Sequence, residues 1–135
     1  MKSRFSILLA VLALIASTLA CSLTETSLNN LRTAKDQDGA QAATVFGKDD
    51  TVFVVGDLSN GVKGNVVTSK WYVDKAEGYE AGSLIDTSDL NIEENGSYSI
   101  NFYMDKPTDG WPVGSYKVEI FFNSELKSTL NFTVE

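Results

Sequence analysis

The chain has no histidine in its 135 residues, a single cysteine and two prolines. Without histidine, the Ser-His-Asp and Cys-His arrangements and most zinc sites are excluded at once. One cysteine allows no internal disulfide, so burial alone has to hold any domain together. Positive charge is also scarce, with 11 Lys and Arg against 18 Asp and Glu. So acidic a balance argues against nucleic acid and against electrostatic adhesion to anionic lipid, both of which need clustered basic residues. One long apolar run exists, Phe5–Ala16 (FSILLAVLALIA). At about 12 residues it is short of the ~20 needed to span a bilayer.

That run sits in the layout of a secretory leader, Met1–Ala20. Lys2 and Arg4 form a positive head, and Ser17-Thr18-Leu19-Ala20 is a small-residue approach to a cleavage point. The sole cysteine, Cys21, follows directly. The arrangement resembles the leader of bacterial lipoproteins. It keeps the Ala20 and Cys21 of their cleavage box, with Thr18 at the usual Leu position and Leu19 at the usual small one. The resemblance implies lipid on the sulfur of Cys21, a membrane-held mature N-terminus and an extracytoplasmic location in the cell envelope. Ser22, in place of an Asp, implies the outer membrane if the cell has one. The same residues also suit an ordinary leader cut after Ala20, since Thr18-x-Ala20 is small-x-small, or an uncleaved anchor. Loss of Lys2 and Arg4 with the leader leaves 9 basic against 18 acidic residues, a formal charge of −9.

The expected organisation is a signal peptide (1–20), a lipidated cysteine with a polar linker (21–43) and one domain (44–135). Ser22–Ala43 is polar and lacks aromatics, and Leu23, Leu28 and Leu31 keep no helical stripe. It reads as a flexible tether reaching on the order of 70 Å when extended. Within it, Asp36-Gln37-Asp38-Gly39 lacks the later ligands of a calcium loop and reads as a solvated loop. From Thr44 the pattern becomes short β-rich runs between turn residues, the signature of an all-β sandwich or barrel. Seven strands are expected: Thr44–Phe46, Thr51–Leu58, Val66–Asp74, an edge strand within Ser83–Ile92, and runs centred on Ile100, Ile120 and Phe132. Glu94-Asn95-Gly96 reads as a hairpin turn. Tyr116, Val118, Ile120 and Phe122 alternate with Ser115, Lys117, Glu119 and Phe121, as a two-sheet antiparallel core requires.

Gly114-Ser115-Tyr116-Lys117-Val118 has the spacing of the tyrosine corner of immunoglobulin-like domains, Gly-x-Tyr-x-Cys, with Val118 where antibody domains carry a cysteine. Trp71 falls on the run that corresponds to strand C, where that family keeps its core tryptophan. Residues 44–135 thus resemble a small immunoglobulin-like antiparallel β-sandwich. The resemblance implies structural roles for Trp71, Tyr116 and Val118, with Val54 or Val55 meeting Val118 in place of the disulfide. It also implies that the Tyr116 hydroxyl reaches backbone near Asp109–Trp111. Tyr98 sits mid-strand without such a role.

No motif points to catalysis, to a cofactor or to a metal site. Acidic pairs such as Asp49-Asp50 and Glu93-Glu94 lie at expected strand ends, where solvated charge is routine. The expected function is non-catalytic: an envelope lipoprotein whose sandwich engages another protein or an envelope polymer. A small-ligand or carbohydrate-binding module is the alternative, marked by exposed coplanar aromatics. If Val66–Asp74 and the Ile120 run are neighbours, Tyr72 and Phe121 point outward from one sheet. Lys70, Lys117 and Glu119 flank them, and these five residues form the candidate interaction face.

Overall fold

The computed structural model describes residues 25–135. The expected leader and Cys21 lie outside the described residues. Eight strands run through the rest: β1 (Ser27–Ala34), β2 (Val45–Phe46), β3 (Val52–Gly61), β4 (Val66–Ala76), β5 (Leu84–Asn91), β6 (Gly96–Met104), β7 (Gly114–Phe122) and β8 (Glu125–Val134). They form a three-stranded sheet, β1-β3-β6, and a five-stranded sheet, β2-β8-β7-β4-β5. Every pairing is antiparallel except the short β2–β8 one. The described chain is all-β, with no helix.

The alternation read from the sequence places the core. Val67, Ser69, Trp71 and Val73 of β4 are buried, as are Tyr116, Val118 and Ile120 of β7 and Phe132 and Val134 of β8. The three-stranded sheet answers with Val52, Val54, Leu58, Ile100 and Phe102. Aromatic packing is concentrated in the five-stranded sheet, where Phe132 stacks on Tyr116 at 5.1 Å and meets Trp111 edge-on at 5.9 Å. Phe46 and Trp71 complete the cluster around Phe132 at 5.6 and 6.2 Å. Edge-to-face and stacked rings at these distances add to the area they bury. Val54 and Val118 are both fully buried, so aliphatic packing occupies the middle of the core.

Three expectations are corrected. The linker assigned to residues 21–43 contains β1, which makes eight strands rather than seven and moves the start of the folded unit upstream of Thr44. The reason is a bulge: the register against β3 shifts between Asn29 and Arg32, and Asn30 takes φ 58°. The extra residue lets both Leu28 and Leu31 pack against the core, a spacing of three that hides the period of two. Glu94-Asn95-Gly96 is not a hairpin, because β5 and β6 lie in different sheets and the turn carries the chain across the sandwich.

The tight hairpin is Asn123-Ser124 between β7 and β8, with φ of 48° and 70°, the positive values a two-residue turn demands. Gly114 is needed for a different reason. A Cβ there would lie 2.3 Å from the Lys75 carbonyl, so β4 and β7 close together only over a glycine.

Candidate functional site

The Val66–Ala76 and Gly114–Phe122 strands are central neighbours in the five-stranded sheet, and their register decides which outward side chains meet. Lys70 lies opposite Glu119, Tyr72 opposite Lys117 and Thr68 opposite Phe121. Since alternate residues face solvent, these positions share the outer face, while Trp71 and Val118 pair beneath them in the core. The five residues of the expected face are therefore brought together. Lys70 Nζ sits 4.9 Å from the Phe121 ring centre, and Lys117 Nζ sits 5.1 Å from that of Tyr72. Each ring is met by an ammonium on its electron-rich face.

Desolvation first, and then the Glu119 carboxylate, push the pKa of the Tyr72 hydroxyl up. A neutral phenol is thereby favoured beside that anion. The same sheet presents exposed Leu84 and Leu126 toward its two flanks. Chemically, the patch is a ring-lined strip with alternating charge, suited to a broad contact.

Trp71, Tyr116 and Val118 are all buried in the core. Trp71 is 2% exposed and its indole donates to Ser69 Oγ at 3.1 Å. The Tyr116 hydroxyl donates to a backbone carbonyl at 2.6 Å, but the acceptor is Pro112, one residue past the expected Asp109–Trp111 stretch. Trp111 explains the offset: its backbone N–H goes to Lys48 O and its indole to Asp50 O, which turns the loop so that Pro112 faces the ring. Burial raises the Tyr116 pKa, with Tyr79 adding to it. Tyr98, expected to lack such a role, makes the same kind of bond to Glu94 O at 2.6 Å.

The acidic pair Asp49-Asp50 is turned to other partners: Asp49 accepts from Lys106 Nζ at 3.0 Å, and Asp50 from the Gly47 N–H at 2.7 Å. Among the described residues no three acidic, histidine or cysteine side chains gather as metal ligands would.

Sequence reasoning missed the outer face of the three-stranded sheet. Phe53 lies directly opposite Tyr103 there, their ring centres 6.1 Å apart and tilted by 39°. Phe53 was hidden in a nearly continuous apolar run, and the face is completed by β1 and the loop after it, which read as tether. The outward pairing of two aromatics, Phe53 and Tyr103, at matching positions of neighbouring strands was the available signal.

No family model matches the chain, and no curated protein matches it. Among solved structures, the chain is similar to part of an alkylpurine DNA glycosylase of Pseudomonas fluorescens bound to DNA with an abasic site analogue. The identity is 14% and the TM-score 0.52, over 82% of this chain and 30% of that one. It is also similar to part of a β-glucosidase of Listeria innocua in complex with glucose, at 12% identity and TM-score 0.50, over 82% of this chain and 16% of that one. A β-glucosidase involved in saponin metabolism from intestinal bacteria gives 16% identity, TM-score 0.50 and the same coverages. The chain spans less than a third of each of these neighbours. What the similarity conveys is the two-sheet fold.

Proposed function

We propose that the chain is an immunoglobulin-like sandwich serving as a non-catalytic interaction module of the cell envelope, held to the membrane through lipid on Cys21. The strand order supports the fold part of this reading. β1-β3-β6 corresponds to an A-B-E sheet and β8-β7-β4-β5 to G-F-C-C′. The core tryptophan on β4 and the tyrosine starting β7 stand where that family has them.

The observation that carries the functional part is the in-register strip of Lys70, Phe121, Lys117, Tyr72 and Glu119 on the outer face of β4 and β7. Aromatic rings are favoured anchors at protein interfaces, and the interleaved charges give a partner something to match. The lysines over both rings make sugar stacking there less suitable than contact with a protein surface.

The experiment has two parts. Intact mass of the mature protein should show acyl addition, and Cys21→Ser should leave the membrane fraction; an unmodified mass removes the anchor. A folded Tyr72→Ser/Phe121→Ser variant should lose the partner captured by the wild type from detergent-solubilised envelopes. Equal capture by both proteins removes this face.

A further inference from the structure

The five-stranded sheet ends in a strand that is open on its far side. β5 pairs with β4 from Leu84 opposite Tyr72 to Asn91 opposite Val66, and among the described residues no strand lies along its other edge. In an antiparallel ladder alternate residues turn their N–H and C=O groups away from the partner strand, so a row of backbone donors and acceptors along β5 is left unpaired. Seven of its eight residues are exposed, and Leu90 is half-buried. The exposure extends to the row that faces the core. Asp86 lies opposite the buried Trp71 and Ser88 opposite the buried Ser69, yet both are exposed. The smaller sheet therefore leaves β5 uncovered on both faces and along one edge.

Native sheets commonly blunt such an edge with lysine, proline or a covering loop. β5 (Leu84–Asn91, LIDTSDLN) has neither residue and is not covered. An open edge of this kind is a template for a further strand.

Charge selects the occupant. No Lys or Arg occurs between Lys75 and Lys106, whereas Asp86 and Asp89 on β5 are joined by Glu80 before it and by Glu93 and Glu94 after it. The ion pairs among the described residues, Lys35–Asp50, Lys106–Asp49 and Lys127–Glu125, leave all five carboxylates out. Lys70 of β4, opposite Thr87, is turned to Phe121 of β7 instead. Asp89 accepts from the Thr68 hydroxyl at 2.6 Å, which holds one oxygen in place without neutralising the charge. A second copy of β5 fits poorly. Antiparallel self-pairing centred between Thr87 and Ser88 sets Asp86 of each copy against Asp89 of the other, and like charges directly opposite are destabilising. A strand with basic residues at those two positions reverses the sign.

We propose that the free edge of β5 takes up an extended segment of another protein by strand addition, with basic residues three apart opposite Asp86 and Asp89. Main-chain hydrogen bonds hold the segment, and the two cross-strand ion pairs set its register. Leu84 and Ile85, 55% and 41% exposed, offer apolar contact at one end. This inference concerns the sheet edge and is independent of the strip on β4 and β7.

The test is a titration of the purified full-length, isotope-labelled protein with the capped heptapeptide Val-Lys-Thr-Thr-Lys-Val-Val, followed by backbone amide resonances. Paired antiparallel to Leu84–Leu90, this peptide sets its lysines opposite Asp89 and Asp86. Saturable shifts centred on β5 are expected, with a Kd on the order of 1 mM or tighter. Replacing both lysines of the peptide by glutamate should weaken binding by about tenfold, attraction at two exposed pairs giving way to repulsion. Asp86→Lys/Asp89→Lys should invert that preference. N-methylation of the peptide at alternate residues, on the edge toward β5, should abolish binding, whereas Tyr72→Ser/Phe121→Ser should bind as the wild type does. Thermal melts establish that each variant is folded. Absence of saturable binding overturns the proposal, as do shifts that avoid β5, equal binding of the lysine and glutamate peptides, or indifference to N-methylation. A dimer of the free protein paired through β5 also overturns it.

Discussion

Tyr116 and Tyr98 make the same local bond in opposite surroundings. Each hydroxyl donates to the carbonyl four residues upstream at 2.6 Å. Tyr116 is 2% exposed, wedged between Trp111 and Phe132 in the aromatic half of the core, whereas Tyr98 is 37% exposed on the three-stranded sheet. The geometry of a hydrogen bond therefore does not identify a corner; the surroundings do. Where water reaches both partners, losing the bond exchanges one hydrogen bond for another. Where burial hinders water, as at the part-buried Tyr116–Pro112 bond, the carbonyl is left less well paired.

The comparison is most forcefully broken by truncation. Tyr116→Ala removes a ring that Trp111 and Phe132 both contact, and should cost about 3–5 kcal/mol in a denaturant melt, the range for deleting a buried aromatic. Tyr116→Phe keeps the ring and strands the Pro112 carbonyl, with an expected cost of roughly 1–3 kcal/mol, or on the order of 4–20 °C in melting temperature. Tyr98→Phe should stay within about 0.5 kcal/mol of wild type, because water replaces its hydroxyl at Glu94. Equal costs for the two Phe variants would remove the distinction between corner and surface.

The smallest effect is in alkali. Burial raises the Tyr116 pKa above its ordinary 10.0. A tyrosine with a raised folded pKa contributes stability that is fully present below the unfolded value and is lost as pH rises through the folded one. Stability should fall above pH 10 more gently in Tyr116→Phe than in wild type. Tyr72, also shifted up but lying on the surface, serves as the control, since Tyr72→Phe should leave that slope nearly unchanged.

Legibility in the sequence tracked how local the signal was. β4, β7 and β8 were readable because Trp71, Val118 and Phe132 lie in unbroken period-two runs, and reading them fixed the outer strip of Tyr72 and Phe121 as well. β1 was not, since the bulge at Asn30 brings Leu28 and Leu31 to the same side and a bulge has no fixed residue signature. Asn95-Gly96 marked a turn but not its destination: the same dipeptide serves a hairpin or a crossing between sheets. The outer face at Phe53 and Tyr103 was illegible for a stronger reason. It joins Gln37 from the loop after β1 with Phe53 of β3 and Tyr103 of β6, so only long-range pairing assembles it.

If Cys21 carries lipid as proposed, the early start of the folded unit would also set a height. Asn60 holds the chain from Glu25 onward, its side chain donating to Glu25 O at 3.3 Å while its own carbonyl accepts from the Thr26 hydroxyl at 2.6 Å. With lipid on Cys21, three residues would lie between the acylated cysteine and that clamp at Glu25, a span of at most about 14 Å. The volume swept by such a leash is roughly a hundredfold smaller than for a free tether of 70 Å. The sandwich would ride just above the headgroups with the Asn60 pole downward. Partners would then have to come to the bilayer surface to meet it.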